Sequence, residues 1–236
     1  MISEVKKIFH LLLSVAFSST GFIAAVTITV LAAREVSSNP YLIGFPNAVG
    51  VAGAVIGTQM FDRMSQKFSK NRALSNTFLI GSLGGLVQIS SLIIDSFYLL
   101  LIGAFILGIG QSAALQTRYV ASFVASESFK ATALSLAVWF SVFGSIFGPR
   151  LVGEYSAVFE NWLGSDLIVG YFIATFGMFL AGLSVLLFSQ KDSALNKKLV
   201  IEKSLKLSEL DSTARLLTKI LVLNHFVMVI IMSATP

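Results

Sequence analysis

Amide and charged side chains within apolar stretches are the residues of this sequence best suited to chemistry. Gln111 and Arg118 stand seven residues apart in one such stretch, which places them on the same face of a helix. An arginine at the centre of a membrane helix costs about 2.5–3.5 kcal/mol on insertion scales, so Arg118 should face protein or water. Either it lies along a path through the membrane, or it reaches the nearby membrane surface as an anchor. Asn47 and Gln88 are further candidates for lining a cavity, although each could instead make a hydrogen bond between helices.

The stretch GSIFGPRLVG, residues 144–153, places helix-disfavouring residues at the end of a long apolar run. Its candidate conformational residues are Gly144, Gly148, Pro149 and Gly153. The glycines fall near one helix face and would let another backbone approach closely. The proline lacks an N–H and clashes with the carbonyl four residues earlier, so the helix should bend or end there. The same residues would also fit a packing seam near the end of a span.

A second candidate for conformational control is the stretch TQMFDRMSQK, residues 58–67, which contains Asp62, Arg63 and Lys67. A carboxylate at a helix end can accept hydrogen bonds from a neighbouring helix N-terminus or pair with a cation. Such a contact forms a latch that breaks when helices move. The alternative is a solvated basic loop between two spans.

The residue sets of common enzyme sites are missing from this sequence. It has no cysteine, which excludes disulfides, thiolate chemistry and cysteine-bound metal. His10 and His225 are isolated, and there is no Ser/His/Asp set, phosphate-binding loop or pair of carboxylates within an apolar run. The net charge of +5 is distributed between apolar runs, which argues against a nucleic-acid partner. We therefore expect no enzyme activity, no cofactor and no metal site.

The elements that carry the candidate residues are membrane helices. Apolar residues make up 55% of the sequence and charged residues only 12%, against roughly 25% in soluble domains. Apolar runs of about 20 residues, long enough to cross about 30 Å of hydrocarbon, recur six times. They cover residues 8–33, 41–61, 73–94, 96–117, 131–149 and 167–190. The predicted fold is an all-α polytopic bundle of six transmembrane helices, with a weaker seventh candidate at the C-terminus.

A change of composition after the sixth run divides the sequence into three segments. Residues 1–190 hold the six spans, residues 191–215 are charged, and residues 216–236 form the seventh span. The middle segment has aliphatic residues at an imperfect helical spacing, which predicts an amphipathic connector on the cytoplasmic leaflet. A solvated linker is the alternative.

The distribution of basic residues predicts the orientation. With a cytoplasmic N-terminus, the lysines and arginines between the spans fall almost entirely on the inner side, apart from Arg118 within a span. Only Arg34 and Arg150 then fall on the outer side. We expect an integral protein of the cell membrane, inner or plasma, with its N-terminus in the cytoplasm.

Glycine and proline also reveal a weak internal symmetry. If the six spans are divided into two groups of three, the second and fifth spans become equivalent and opposite in direction. These two spans are the ones that contain both glycine and proline. Gly/Pro-interrupted segments in matching positions of two halves are typical of inverted repeats in secondary transporters.

Two of these stretches resemble motifs of the major facilitator superfamily. GSIFGPRLVG is similar to the fifth-span motif G-x-x-x-G-P-x-x-G-G, which is most associated with drug/proton antiporters; Val152 replaces one glycine. TQMFDRMSQK is similar to the cytoplasmic motif G-x-x-x-D-R-x-G-R-K and matches it at Asp62, Arg63 and Lys67. In the fourth span, Ala104 stands where proton-coupled members often carry an arginine.

The resemblance implies the N-terminal six-helix half of a transporter that is truncated at its C-terminus. Such a half would move a small molecule by alternating access, with efflux favoured by the fifth-span motif. Its partners would be the lipid bilayer, the solute and a second bundle from a homodimer or a separate chain. The alternatives are a transport-inactive fragment and a membrane interaction protein.

Overall fold

Six long helices make up the bundle. A computed structural model describes residues 2–37, 39–163 and 165–188 and the single positions 216 and 220. Within these residues the helices are α1 Ile2–Val36, α2 Phe45–Lys67, α3 Lys70–Ile93, α4 Phe97–Val124, α5 Lys130–Leu163 and α6 Ile168–Phe188. All six are long and apolar enough to cross a membrane, which confirms the predicted all-α bundle of six spans. The predicted connector at 191–215 lies outside the described residues, and so does the seventh span at 216–236 apart from those two positions.

Local signals in the sequence end one helix and begin the next. Asn39 accepts a hydrogen bond from the Tyr41 N–H at 3.0 Å and starts a short 3₁₀ turn before α2. Ser69 caps α3 by accepting a hydrogen bond from the Arg72 N–H at 3.3 Å. Asp95 adopts a positive φ of 53° in the reversal between α3 and α4, a conformation that aspartate tolerates better than most residues. Of these three reversals, only the one at Asp95 joins two helices that pack extensively against each other, α3 and α4.

Two segments predicted as connections are largely helical. The helix α2 continues to Lys67, so little more than Phe68 and Ser69 separates it from α3. The helix α5 does not end at Pro149 but continues to Leu163. Beyond the proline, Val152 and Phe159 lie seven residues apart on one helix face and pack against the core, which accounts for the continuation.

The packing of the helices repeats after three. α1 packs most extensively against α5 and α6, and α4 packs most extensively against α2 and α3, while α3 and α6 also pack together. Exchanging α1–α3 with α4–α6 leaves this pattern unchanged. α1 and α4 are antiparallel, because Glu4 near the start of α1 contacts Ser126 just after the end of α4. The bundle therefore has the arrangement expected of two inverted three-helix repeats.

The helices α2 and α5 lie at the periphery of this six-helix unit. Only small shares of their most apolar segments are buried, 17% for α2 and 22% for α5, whereas α1, α3, α4 and α6 are buried by half or more. The fully buried residues described in α5 are Ala133, Ala137, Gly144 and Gly148. Those of α2 are Pro46, Gly53, Gly57 and Phe61. Both helices thus meet the bundle mainly through small residues.

Candidate functional site

One side of α4 remains open in the six-helix unit and carries most of the unusual polar residues. Leu115 and Tyr119 are exposed along this side, which we call the open face of α4. Gln111 and Arg118 are partly exposed next to Leu115 and Tyr119, at helical spacings of four and seven residues. The structure therefore brings two of the predicted cavity residues onto one accessible surface.

Two polar atoms of this face have no hydrogen-bond partner among the residues that the structure describes. The Oε1 atom of Gln111 and the Nε atom of Arg118 are buried but make no hydrogen bond. Buried polar atoms are nearly always hydrogen-bonded in folded proteins, and leaving one unpaired costs about 1–3 kcal/mol. Both groups are therefore poised to accept a partner that the described residues do not supply.

No carboxylate among the described residues forms an ion pair with Arg118. Near the same end of the bundle, Glu4 pairs with Lys7 at 2.6 Å and Glu127 pairs with Lys130 at 2.7 Å. The guanidinium of Arg118 thus remains an uncompensated positive charge about 9 Å from the end of α4.

The other two predicted cavity residues lie elsewhere. Gln88 is only 1% exposed and sits in the α3–α4 seam, where a methyl group on Gly103 would lie 2.5 Å from its Cγ. Its Oε1 atom is buried without a hydrogen-bond partner. Asn47 is half-buried in the first turn of α2, far along the bundle from Arg118. The structure does not bring either residue onto the open face with Arg118.

Two of the fifth-span glycines form a seam with α1. A methyl group on Gly144 would lie 2.5 Å from the backbone nitrogen of Thr20, and one on Gly148 would lie 2.9 Å from the Thr20 carbonyl oxygen and 3.0 Å from the nitrogen of Ala24. Because the obstructing atoms belong to the backbone, they cannot rotate away. Glycine is needed here for close approach of two helices. The backbone that approaches these two residues belongs to α1 of the same bundle.

The helix α2 packs against α4 in the same way, through glycine. A methyl group on Gly57 would lie 2.8 Å from the Cα of Ile109, and one on Gly53 would overlap the carbonyl oxygen of Phe105. Exchanging the two three-helix groups converts the α5–α1 seam into the α2–α4 seam. The peripheral helix of each repeat is therefore joined to the bundle through glycine.

The remaining fifth-span residues are exposed. Pro149 points away from the bundle, and a methyl group on Gly153 would meet no atom within 4 Å. Arg150, the unusual charge after the proline, pairs with Glu154 at 2.8 Å one helical turn later. Of the predicted motif, only Gly144 and Gly148 make close helix contacts in the described part of the chain.

The predicted latch residues occupy the last two turns of α2. Asp62, Arg63 and Lys67 are all exposed, and none of them makes an ion pair within the part of the chain that the structure describes. α1 and α5 run in the same direction, since Gly144 faces Ser19 and Gly148 faces Ala24. Pro149 lies about 29 Å along α5 from its start, so it and Asp62 lie toward opposite ends of the bundle.

A contact that the sequence interpretation missed joins the two repeats. The Glu4 carboxylate accepts a hydrogen bond from the Ser126 N–H at 3.1 Å while it pairs with Lys7. Lys70, at the start of α3, lies 4.4 Å from the centre of the Phe123 ring near the end of α4. An acidic residue in the first turn of an apolar helix was the only signal for the first contact, and it is not specific.

A concave surface between α3 and α6 has a different character. It encloses about 660 Å³ and is lined mainly by leucine, isoleucine and phenylalanine side chains, with Asn76, Ser82 and Thr175 as its polar members. None of the residues predicted for a functional site lines it. Its apolar lining suits contact with lipid chains better than binding of a polar solute.

Comparison with known proteins reveals relatives along nearly the whole chain. The chain is 30% identical over 248 residues to the uncharacterized MFS-type transporter YdeG of Bacillus subtilis, covering 98% of this chain and 56% of that protein. It is 29% identical over 239 residues to the uncharacterized MFS-type transporter YddS of the same organism, covering 96% of this chain and 55% of that protein. The riboflavin transporter RfnT of Brucella anthropi is 25% identical over 122 residues, 52% of this chain and 31% of that protein.

No protein-family model and no solved structure matches the chain. The chain spans about half the length of the two Bacillus relatives that it matches. Its six membrane-capable helices, in two equivalent groups of three, agree with one half of such a transporter. The chain is an integral membrane protein that is similar, over nearly its whole length, to two MFS-type transporters.

Proposed function

We propose that the six helices form one bundle of a secondary active transporter, which exports a small molecule across the cell membrane by alternating access. The observation that carries this proposal is the pair of equivalent glycine seams, α2–α4 and α5–α1. Side-chain-poor seams let helices shift against each other with little interlocking, which suits the small displacements of a rocking bundle. The energy would come from a solute or ion gradient, because the sequence contains no nucleotide-binding motif.

The solute would pass along the open face of α4 and the neighbouring side of α1. A partly exposed arginine and glutamine are costly when they face lipid, so this surface is better suited to a water-filled cavity. Gln111 and Arg118 are the residues expected to meet the solute. Asn47 lies near the opposite end of the bundle, so the solute would meet it only after it had moved along this surface.

A second bundle would close the cavity from the other side, supplied by a second copy of the chain or by a separate chain. Large apolar side chains on the outer faces of α2 and α5 support this arrangement. Val55, Ile56, Ile146 and Phe147 are each about half exposed. The exposed group of Asp62, Arg63 and Lys67 would then serve as a latch at one end of the contact between bundles.

The proposed orientation has the N-terminus in the cytoplasm, where the basic residues of the α2–α3 and α4–α5 connections would also lie. In this orientation Asp62 lies at the cytoplasmic end of α2, and Pro149 lies toward the outer end of α5.

The test is flux through the full chain in proteoliposomes. Riboflavin is the first solute to measure, because one relative is named as a riboflavin transporter. Solutes that accumulate outside cells expressing the chain, as measured by mass spectrometry, would follow. We expect Gly148→Leu to abolish flux and Gly153→Leu to preserve it, since only the first position meets another backbone.

Absence of flux for every solute, together with a monomeric state, would contradict the proposal and favour a transport-inactive role. A co-purifying membrane protein without solute movement would instead indicate an interaction protein. Equal flux in both glycine variants would show that transport does not depend on the α5–α1 seam.

A further inference from the structure

The open face of α4 holds a charge that the described protein does not balance. Arg118 forms no ion pair or hydrogen bond with the described residues, and its Nε atom is shielded from solvent. Of the carboxylates toward that end of the bundle, Glu4 pairs with Lys7 and Glu127 pairs with Lys130, and no described carboxylate pairs with Arg118. A negative charge that neutralises the guanidinium must therefore come from outside the described bundle.

The residues beside Arg118 define what else such a ligand should carry. Gln111 lies two helical turns away, about 10 Å along the axis, with an amide oxygen that has no hydrogen-bond partner. Between them Leu115 is 42% exposed on the same face. The surface thus offers a cation, an apolar patch and a hydrogen-bond acceptor in that order.

We propose that the solute is an organic anion whose acidic group binds Arg118, whose apolar middle contacts Leu115 and whose far end donates a hydrogen bond to Gln111. This inference rests on the proposed transport function and specifies the substrate class of the same surface. Arginine binds carboxylate and phosphate groups through charge-assisted, often bidentate hydrogen bonds. Such a solute would neutralise the charge of Arg118 and offer Gln111 a donor, whereas a neutral solute could accept a hydrogen bond from Arg118 but would leave its charge uncompensated.

Calorimetry on the purified full chain tests the inference with a matched set of probes. The acid is 3-(4-hydroxyphenyl)propionate, which has an acidic end, an apolar middle and a hydroxyl at the far end. Its uncharged isostere is 3-(4-hydroxyphenyl)propionamide, and 3-phenylpropionate lacks only the hydroxyl. We expect the acid to bind about tenfold or more tightly than the amide, because hydrogen bonds to charged groups are the stronger ones.

Variants test which residues cause the preference for the acid over the amide. Arg118→Gln should weaken binding of the acid about tenfold or more and abolish the preference over the amide, whereas Arg118→Lys should retain part of it. Gln111→Leu should remove the advantage of the hydroxylated acid over 3-phenylpropionate. The control is Arg72→Gln, which removes an exposed arginine on α3 and should leave binding unchanged.

Equal binding of acid and amide to the unmodified chain would overturn the inference, even if the variants fail to fold. No binding of the acid, or undiminished binding in a folded Arg118→Gln variant, would also overturn it. Flux of a neutral or cationic solute that is insensitive to Arg118→Gln would uphold transport while refuting the anion site. Binding of the acid through Arg118 without flux of any solute would uphold the site and refute transport.

Discussion

Glu4 and Ser126 lie 122 positions apart in the sequence, yet the Glu4 carboxylate accepts the Ser126 N–H at 3.1 Å. The contact ties the start of α1 to the connection between α4 and α5. It therefore joins the first helix of one repeat to the first connection of the other. Because Glu4 also pairs with Lys7, its geometry is fixed from two sides.

Removing this carboxylate should loosen the connection after α4. In Glu4→Ala the Ser126 N–H loses its acceptor, so amide hydrogen exchange in residues 125–129 should become faster. The control is Lys130→Ala, which removes an exposed ion pair within that connection but leaves the Glu4 contact intact. Unchanged exchange in Glu4→Ala would show that the hydrogen bond does not hold the connection in place.

Two glycines of the seams, Gly144 and Gly50, should tolerate a methyl group unequally. Gly144→Ala places Cβ 2.5 Å from backbone and side-chain atoms of α1, whereas Gly50→Ala places it 3.5 Å from the Ala104 carbonyl oxygen. We expect Gly144→Ala to destabilise the bundle by about 1–3 kcal/mol, the usual cost of overpacking, and Gly50→Ala to have little effect. Thermal unfolding of the purified variants checks this. Equal midpoints for the two variants would contradict the close α5–α1 approach.

A buried hydrogen bond joins α3 to α6. The Ser75 hydroxyl donates to the Gly182 carbonyl oxygen at 2.8 Å and is fully buried. Ser75→Ala should lower the free energy of unfolding by about 0.6 kcal/mol, the average for hydrogen bonds between membrane helices. Ser82→Ala is the matched control, since that hydroxyl bonds only to the Leu79 carbonyl of its own helix. Denaturant titration should show a loss in the first variant alone.

The proposed orientation predicts opposite labelling of two exposed positions. The chain has no cysteine, so a single introduced thiol reports without background. Trp162, 85% exposed near the end of α5, should be reached by a membrane-impermeant maleimide in intact cells when changed to cysteine. Glu127→Cys should react only after the cells are permeabilised. The reverse pattern would place the N-terminus outside.

Apolar run length and tight reversals were enough to predict the six spans, because each span must satisfy its own backbone hydrogen bonds in lipid. The end of α5 was not predictable in the same way. Pro149 is a local signal for a break, but Val152 and Phe159 pack against the core and continue the helix past it. Local propensity was overridden by tertiary packing.

The candidate site was predicted in part. The seven-residue spacing of Gln111 and Arg118 placed them on one face, as the structure has them. Helical spacing alone does not indicate which side of α3 meets α4. The burial of Gln88 beside Gly103 could therefore not be predicted from the sequence. The seam partners of Gly144 were likewise invisible, since a glycine pattern marks close approach without naming the neighbouring helix.

The uninterrupted course of α5 through Pro149 gives this helix a mechanical property that a broken one would lack. From Gly144, where it packs closely against α1, an unbroken helix extends about 29 Å to Leu163. Each 10° of tilt about that fulcrum would carry the far tip through about 5 Å, by the same helical rise. A change in the tilt of α5 that is too small to disturb the α5–α1 seam would therefore produce a displacement of several ångströms at Leu163.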